Sequence, residues 1–282
     1  MTVSAFLSAP PAPAASPLTT AYARITEALP ALRISEEGPH SGGGWVQGSE
    51  LARGGAALDT YLALDEERVL REYGARDLPH VVAGFGLHRY AWPVCLLFTL
   101  PHFLLRRVPR IGPADVSFHP ELGRLTVRTG RFSCLPDDPA AALPGAEVVP
   151  EEEALRTAVR SAAAEHLGPV LAAFGPRMRR GRRALWGTAT DELAEGLWYV
   201  GRLLGEEERA SREAERLLPG STAPYAGGAG FRELADPCGE RLLTRDRVSC
   251  CLFYTLRPED TCVTCPRTSD TSRLARLRDC RS

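Results

Sequence analysis

The chain has 282 residues, 44% of them hydrophobic, and a formal net charge of -1. That length and content can bury a full core, as one large domain or as a domain plus a small module, and the near-zero charge offers no overall field to draw in nucleic acid or an anionic membrane surface. All 34 basic residues are arginine and glycine and proline are abundant, a GC-rich coding bias that discounts arginine as a signal by itself.

In chain order, residues 1–20 are rich in Ala, Pro and Ser and lack the basic and apolar regions of a secretory signal, so they read as a disordered N-terminal tail. A body follows over residues 21–230. Ala21–Leu32 has the apolar spacing of a short helix, and Ser35–Gly48 reads as a polar, flexible loop carrying Gly42-Gly43-Gly44. Leu58, Tyr61, Leu62, Val69 and Tyr73 share one face of a helix that Gly74 stops. Val82–Leu100 predicts a second helix, bent or broken near Pro93. Its apolar run Ala91–Leu100 falls short of the roughly 20 residues needed to span a bilayer, which leaves peripheral membrane contact at most.

Between Ala114 and Cys134 apolar and polar residues alternate around Pro120-Glu121-Leu122-Gly123, predicting a β-hairpin with a third strand after Gly130. Asp137–Pro144 reads as a loose turn. Three helices are expected over 151–167, 169–185 and 189–217, punctuated by Gly168-Pro169, Gly175-Pro176 and Gly187. The Gly-rich stretch Pro219–Gly230 separates this body from a C-terminal module, residues 231–282. The expected class is α+β, mostly helical with a small antiparallel hairpin or sheet.

The module carries Cys250-Cys251, ten intervening residues, then Cys262-Val-Thr-Cys265. Without an export signal, clustered thiols point to metal or redox chemistry before disulfides. Thiolate sets select zinc or iron–sulfur clusters over hard cations. A four-cysteine zinc site ordinarily shows two short-spaced pairs, and the first is missing here. Adjacent cysteines tend to point apart, which suits ligands spread over more than one iron; zinc and thiol chemistry stay open as alternatives. Pro266 follows Cys265 as a proline follows the last cysteine of bacterial ferredoxin runs. Arg245, Arg247, Arg257 and Arg267 would favour a reduced, more negative cluster. Cys95 and Cys134 read as small buried hydrophobes, Cys238 as a rival ligand, and Cys280 as a free thiol.

Cys250, Cys251, Cys262 and Cys265 resemble the C-terminal signature of the FhuF-like ferric siderophore reductases, and Ala184-Leu185-Trp186-Gly187 is similar to a segment of FhuF-like domains. The resemblance implies that those four cysteines hold a [2Fe-2S] cluster. It implies one-electron reduction of Fe(III) held by a hydroxamate-type siderophore, which frees the metal because hard oxygen chelators grip Fe(III) far better than Fe(II). It further implies a separate electron donor, whether ferredoxin, flavodoxin or a flavin or NAD(P)H reductase; the expected location is cytoplasmic. The reading from another class is a non-catalytic siderophore- or iron-binding or sensing protein with a structural cluster or zinc.

For substrate or partner docking the candidates are Arg177, Arg179, Arg180, Arg182 and Arg183 beside Trp186: an electropositive lip for an anionic chelate or acidic donor protein, or a solvated helix end. Trp186, Trp198 and Tyr199 at helical spacing read as core. Gly84-Phe-Gly86-Leu-His-Arg89 begins like a dinucleotide fingerprint but has arginine sixth and no following acidic partner, so no built-in nicotinamide site is expected.

Overall fold

The structure is a computed structural model describing residues 16–74, 78–220, 222–236, 238–259 and 261–279. Its class is α+β, as expected, with helix predominant over several small sheets. Along the chain run α1 (Thr19–Ala28), β1 (Arg33–Ser35), β2 (Val46–Gln47), α2 (Gly48–Arg53), α3 (Gly55–Tyr73) and α4 (Pro79–Leu105). They are followed by β3 (Val108–Pro109), β4 (Val116–His119), β5 (Arg124–Val127), β6 (Phe132–Cys134) and β7 (Ala146–Val148). The second half holds α5 (Glu152–Met178), α6 (Arg182–Leu203), α7 (Glu207–Leu217), β8 (Pro219–Gly220), β9 (Gly227–Gly228), β10 (Phe231–Ala235), β11 (Arg241–Arg245) and α8 (Asp270–Asp279).

The centre is α4, apolar around most of its circumference and buried over most of its length, with α1, α3, α5 and α6 packed about it. By length and composition it could cross a bilayer, yet 78% of its apolar window is buried inside the protein. The expected break at Pro93 does not occur: α4 runs through both Pro93 and Pro101. Pro101 lacks the N–H that would bond the Leu97 carbonyl, and the Tyr22 hydroxyl donates to that carbonyl instead, at 3.3 Å. Helix α6 lies so close to α4 that a Cβ on Gly196 would stand 2.9 Å from Leu96 Cδ2, which is why glycine occupies a helix interior at that point.

The hairpin forms as β4 and β5, joined by parallel β1 and antiparallel β2 in the order β1-β5-β4-β2. The third strand, β6, belongs to a separate sheet ordered β3-β6-β7. Elsewhere the breaks differ from those expected. Helix α5 continues through Gly168-Pro169 and stops only at Arg179, because the buried side chains Leu167, Val170, Leu171 and Phe174 keep one face in the core. Asp138 caps a 3-10 turn at Pro139–Ala142, accepting from the Ala140 N–H at 2.7 Å, and Arg107 clasps its carboxylate, so 137–144 is not loose. The packed body also begins before residue 21, since Leu18 is buried and Arg107 donates to the Pro17 carbonyl; residues 1–15 of the expected tail lie outside the described residues. Within the Gly-rich stretch Tyr225 is buried, donates to the Arg160 carbonyl at 2.7 Å and stacks edge-on against Trp186.

Two buried groups tie the fold to pH. His166, fully buried, donates from Nδ1 to the Ile111 carbonyl at 3.1 Å and accepts the Tyr90 hydroxyl at Nε2, 2.9 Å away. Burial lowers its pKa from 6.5 to about 4. At Glu213 burial opposes ionisation, but hydrogen bonds from His102 and Arg156 outweigh it and hold the carboxyl at about 2. Both native pKa values lie below the unfolded ones, so each group stabilises at neutral pH and loses its contribution on acidification. For the cluster-free protein, the unfolding free energy read from urea titration should fall as pH drops from 6.5 to 4, by up to about 3 kcal/mol for His166, and by less from 4.5 to 2 as the partly solvated Glu213 is protonated. A flat profile between pH 7 and 4 would contradict the His166 assignment.

Candidate iron–sulfur centre

The hairpin of β10 and β11 delivers the chain to the cysteines, and its last residue fixes their approach. Arg245 is fully buried and donates to the Ala229 carbonyl at 2.9 Å, to Glu195 at 2.9 Å and to Asp191 at 2.7 Å. Asp191, itself fully buried on α6, also accepts the N–H groups of Val248 and Ser249 and the Ser249 hydroxyl, at 2.9, 2.8 and 2.8 Å. One carboxylate thereby pins both residues that precede Cys250. Gly187 lets this strand lie on α6, since a Cβ there would meet Val248 Cγ1 at 3.1 Å. Arg180 donates to the Cys250 carbonyl at 3.1 Å.

Past Cys251 the backbone turns through Leu252 at φ 64°, a left-handed conformation that costs a branched side chain about 1 kcal/mol. The turn directs the Phe253 N–H onto the Cys251 sulfur. Phe253 then packs edge-on against Tyr73 and Phe85, at ring distances of 5.6 and 6.3 Å, seating the loop on α3 and α4. In the second half of the motif the Cys265 N–H donates to the Cys262 carbonyl at 3.0 Å, and the Arg267 N–H to Cys265 Sγ at 3.4 Å. From α8 the buried Arg273 donates to the Cys265 carbonyl at 3.1 Å and to Asp246 at 2.6 Å, clamping both ends of the segment together.

The thiols of Cys251 and Cys262 hydrogen-bond each other and line a cavity of about 350 Å³, with His88, Arg89, Arg247 and Phe253. The Cys262 thiol donates to Cys251, holding the Cys251 pKa down to about 6 against the effect of burial, while that of Cys262 is pushed up. Cys265 is buried and Cys250 half-buried. Among the described residues, no group of three His, Cys, Asp or Glu side chains is placed to hold a metal ion. A four-cysteine zinc site needs all four thiols around one ion, whereas a [2Fe-2S] cluster asks for two at each of two irons. A close thiol pair, N–H groups aimed at two sulfurs and an all-sulfur donor set fit the cluster.

The chain is thus an α+β protein with an iron–sulfur segment built into its C-terminal part. Residues 247–267 match the FhuF 2Fe-2S C-terminal domain. The four cysteines are consistent with that domain's motif, and its cofactor is a [2Fe-2S] cluster. Among curated proteins no relative matches the chain.

The other expected residues are scattered more widely. Arg179, Arg180, Arg182 and Trp186 line one cavity, whereas Arg183 is exposed outside its lining and Arg177 pairs with Asp59 at 2.6 Å. Arg245 is enclosed by Asp191 and Glu195, whereas Arg247, paired with Asp191, Glu192 and Glu195, also lines the cavity of Cys251 and Cys262 and favours their thiolates. Arg257 and Arg267 lie over the rings of Tyr73 and Tyr254. Cys238 is exposed on the β10–β11 turn, Cys95 and Cys134 are buried free thiols, and Cys280 lies outside the described residues. Gly84–Arg89 is helical, within α4, not the strand-to-helix turn that a dinucleotide site requires. Sequence reasoning missed Asp191, Glu195 and Arg273; the one signal for Asp191 is a carboxylate on the core-facing side of a helix.

Proposed function

We propose that the protein is a ferric-siderophore reductase in which Cys250, Cys251, Cys262 and Cys265 hold the cluster. The observation that carries this reading is the domain match over 247–267, falling where two thiols face a cavity. When bound, the cluster supplies single electrons, so Fe(III) in a chelate becomes Fe(II) and is released. The chain's own residues hold and shield: Asp191, Arg180 and Arg273 fix the segment's backbone, and Phe253, Tyr73 and Phe85 cover it on the α3–α4 side. The packed body up to residue 230 acts as the substrate-binding part and residues 231–282 as the cluster module. The electron comes from a separate ferredoxin, flavodoxin or flavin-dependent reductase, in the cytoplasm, where thiols stay reduced.

Purified without oxygen, the protein should be red-brown, contain about two irons and two sulfides per chain, and bleach with dithionite. Mixed with a ferric siderophore and an Fe(II)-trapping chelator, the reduced form should be reoxidised faster than by a simple ferric salt, with one Fe(II) trapped per electron. Colourless protein with one zinc would instead favour the binding or sensing alternative. Reoxidation no faster than with the salt would remove the siderophore from the reading.

A further inference from the structure

A second cavity, of about 700 Å³, opens where α5 hands over to α6. Leu171, Leu185 and Trp186 give it an apolar floor, and Arg179, Arg180 and Arg182 form its rim. Trp186 is held by its edge-on contact with Tyr225, 5.4 Å between ring centres. Arginine is common in this chain, but most charged arginines around the core sit against a carboxylate, as Arg107, Arg156 and Arg177 do. Arg179 and Arg182 have no carboxylate partner among the described residues, and Arg180 spends its hydrogen bond on the Cys250 carbonyl.

The backbone brings both signs here, since the C-terminus of α5, negative in its dipole, meets the positive N-terminus of α6 at this rim. Helix α6, 22 residues long, begins at this rim with no acidic residue in its first turn. It carries Arg182 and Arg183 there, although helix N-termini favour anions and disfavour cations. Arg179 closes α5 at φ 53°, the left-handed position that glycine ordinarily fills. Arg179 and Arg182, without carboxylate partners, thus border a concavity in the size range of small-molecule sites, about 300–1,000 Å³, and the described side chains that line it include no carboxylate to meet them.

We infer that this cavity is the binding site for the ferric chelate, and that it selects anionic chelates, with catecholate or carboxylate donors, over neutral tris-hydroxamate complexes. The inference rests on the reductase reading for the identity of the metal. Three hydroxamates cancel the charge of Fe(III) and gain nothing from the arginines; three catecholates leave a trianion, and their flat rings match the Trp186 floor. Arg180 reaches from this rim to the Cys250 main chain, so one side chain links the cavity to the cysteine segment. The resemblance implied a hydroxamate substrate; the charge of the cavity points the other way.

Gallium(III) chelates test the site apart from the chemistry, because Ga(III) matches the charge and size of Fe(III) but accepts no electron here. By calorimetry on the cluster-loaded protein, gallium tris-catecholate should bind at least about tenfold more tightly than gallium tris-hydroxamate. The double variant Arg179→Glu/Arg182→Glu should weaken it by about tenfold or more, and Ala172→Trp, which fills the cavity from an exposed position, should do the same. Both variants should keep the wild-type visible spectrum. Equal binding of the two chelates, or trianion binding indifferent to both variants, overturns the inference. So does slower reduction of the double variant by an acidic ferredoxin with gallium binding unchanged, which would make the rim a protein-docking face. If the gallium results hold but no Fe(III) chelate of either kind reoxidises the reduced protein, the cavity stands and the reductase reading falls.

Discussion

Asp191→Ala should cost the protein both stability and its cluster. The carboxylate is fully buried and accepts four hydrogen bonds: one from Arg245, two from the Val248 and Ser249 main chain, and one from the Ser249 hydroxyl. Removing it leaves a buried guanidinium with only Glu195 beside it and strips the anchor from two peptide groups. Breaking a buried pair on one side costs about 3–5 kcal/mol, read as a fall in the urea midpoint of the cluster-free protein. The same variant should retain well under half the wild-type iron, because the strand entering Cys250 loses its fixed direction. An apolar double replacement, Asp191→Leu/Arg245→Met, separates the two effects: it should recover much of the stability but not the iron. Full iron content in that double variant would show that Asp191 supports the fold and does not position the cysteines.

That residue also marks where sequence reading stopped. The cysteine motif was legible because its spacing marks a thiolate metal site and resembles a family signature, as was the helix ending at Gly74, because its apolar period and αL stop are local. The hairpin over β4 and β5 was legible for the same reason. The helix breaks at Pro93 and Gly168-Pro169 were misplaced because proline's local cost was weighed without the tertiary burial that overrides it, a burial visible only once α4 and α5 are side by side. Asp191 gave no sign, since its partners Arg245, Val248 and Ser249 lie more than fifty residues away. The arginine run was visible but its division was not. Arg177 is neutralised by Asp59, Arg180 is committed to Cys250, and Arg179 and Arg182 are left facing a cavity; only the fold draws that distinction.

Cys251→Ser should abolish the native cluster spectrum, whereas Cys238→Ser should leave it unchanged. Cys251 faces the cavity, touches the Cys262 thiol and receives the Phe253 N–H, so its sulfur is already placed as a ligand. Serine offers a harder, shorter donor that an iron–sulfur cluster accepts poorly. Cys238 sits on an exposed turn whose geometry is fixed locally: Asp236 accepts the N–H groups of Cys238 and Glu240, both at 2.8 Å, and Arg278 of α8 holds the same carboxylate. Reaching the cluster would mean undoing those bonds. Visible absorption and iron content after anaerobic reconstitution decide the matter, and the opposite outcome would move Cys238 into the ligand set in place of Cys251. Cys250 cannot stand in for its neighbour, because its backbone is held from both sides, by Asp191 through Ser249 and by Arg180 at its own carbonyl. With that freedom removed, Cys250→Ser should lose the cluster as completely as Cys251→Ser does.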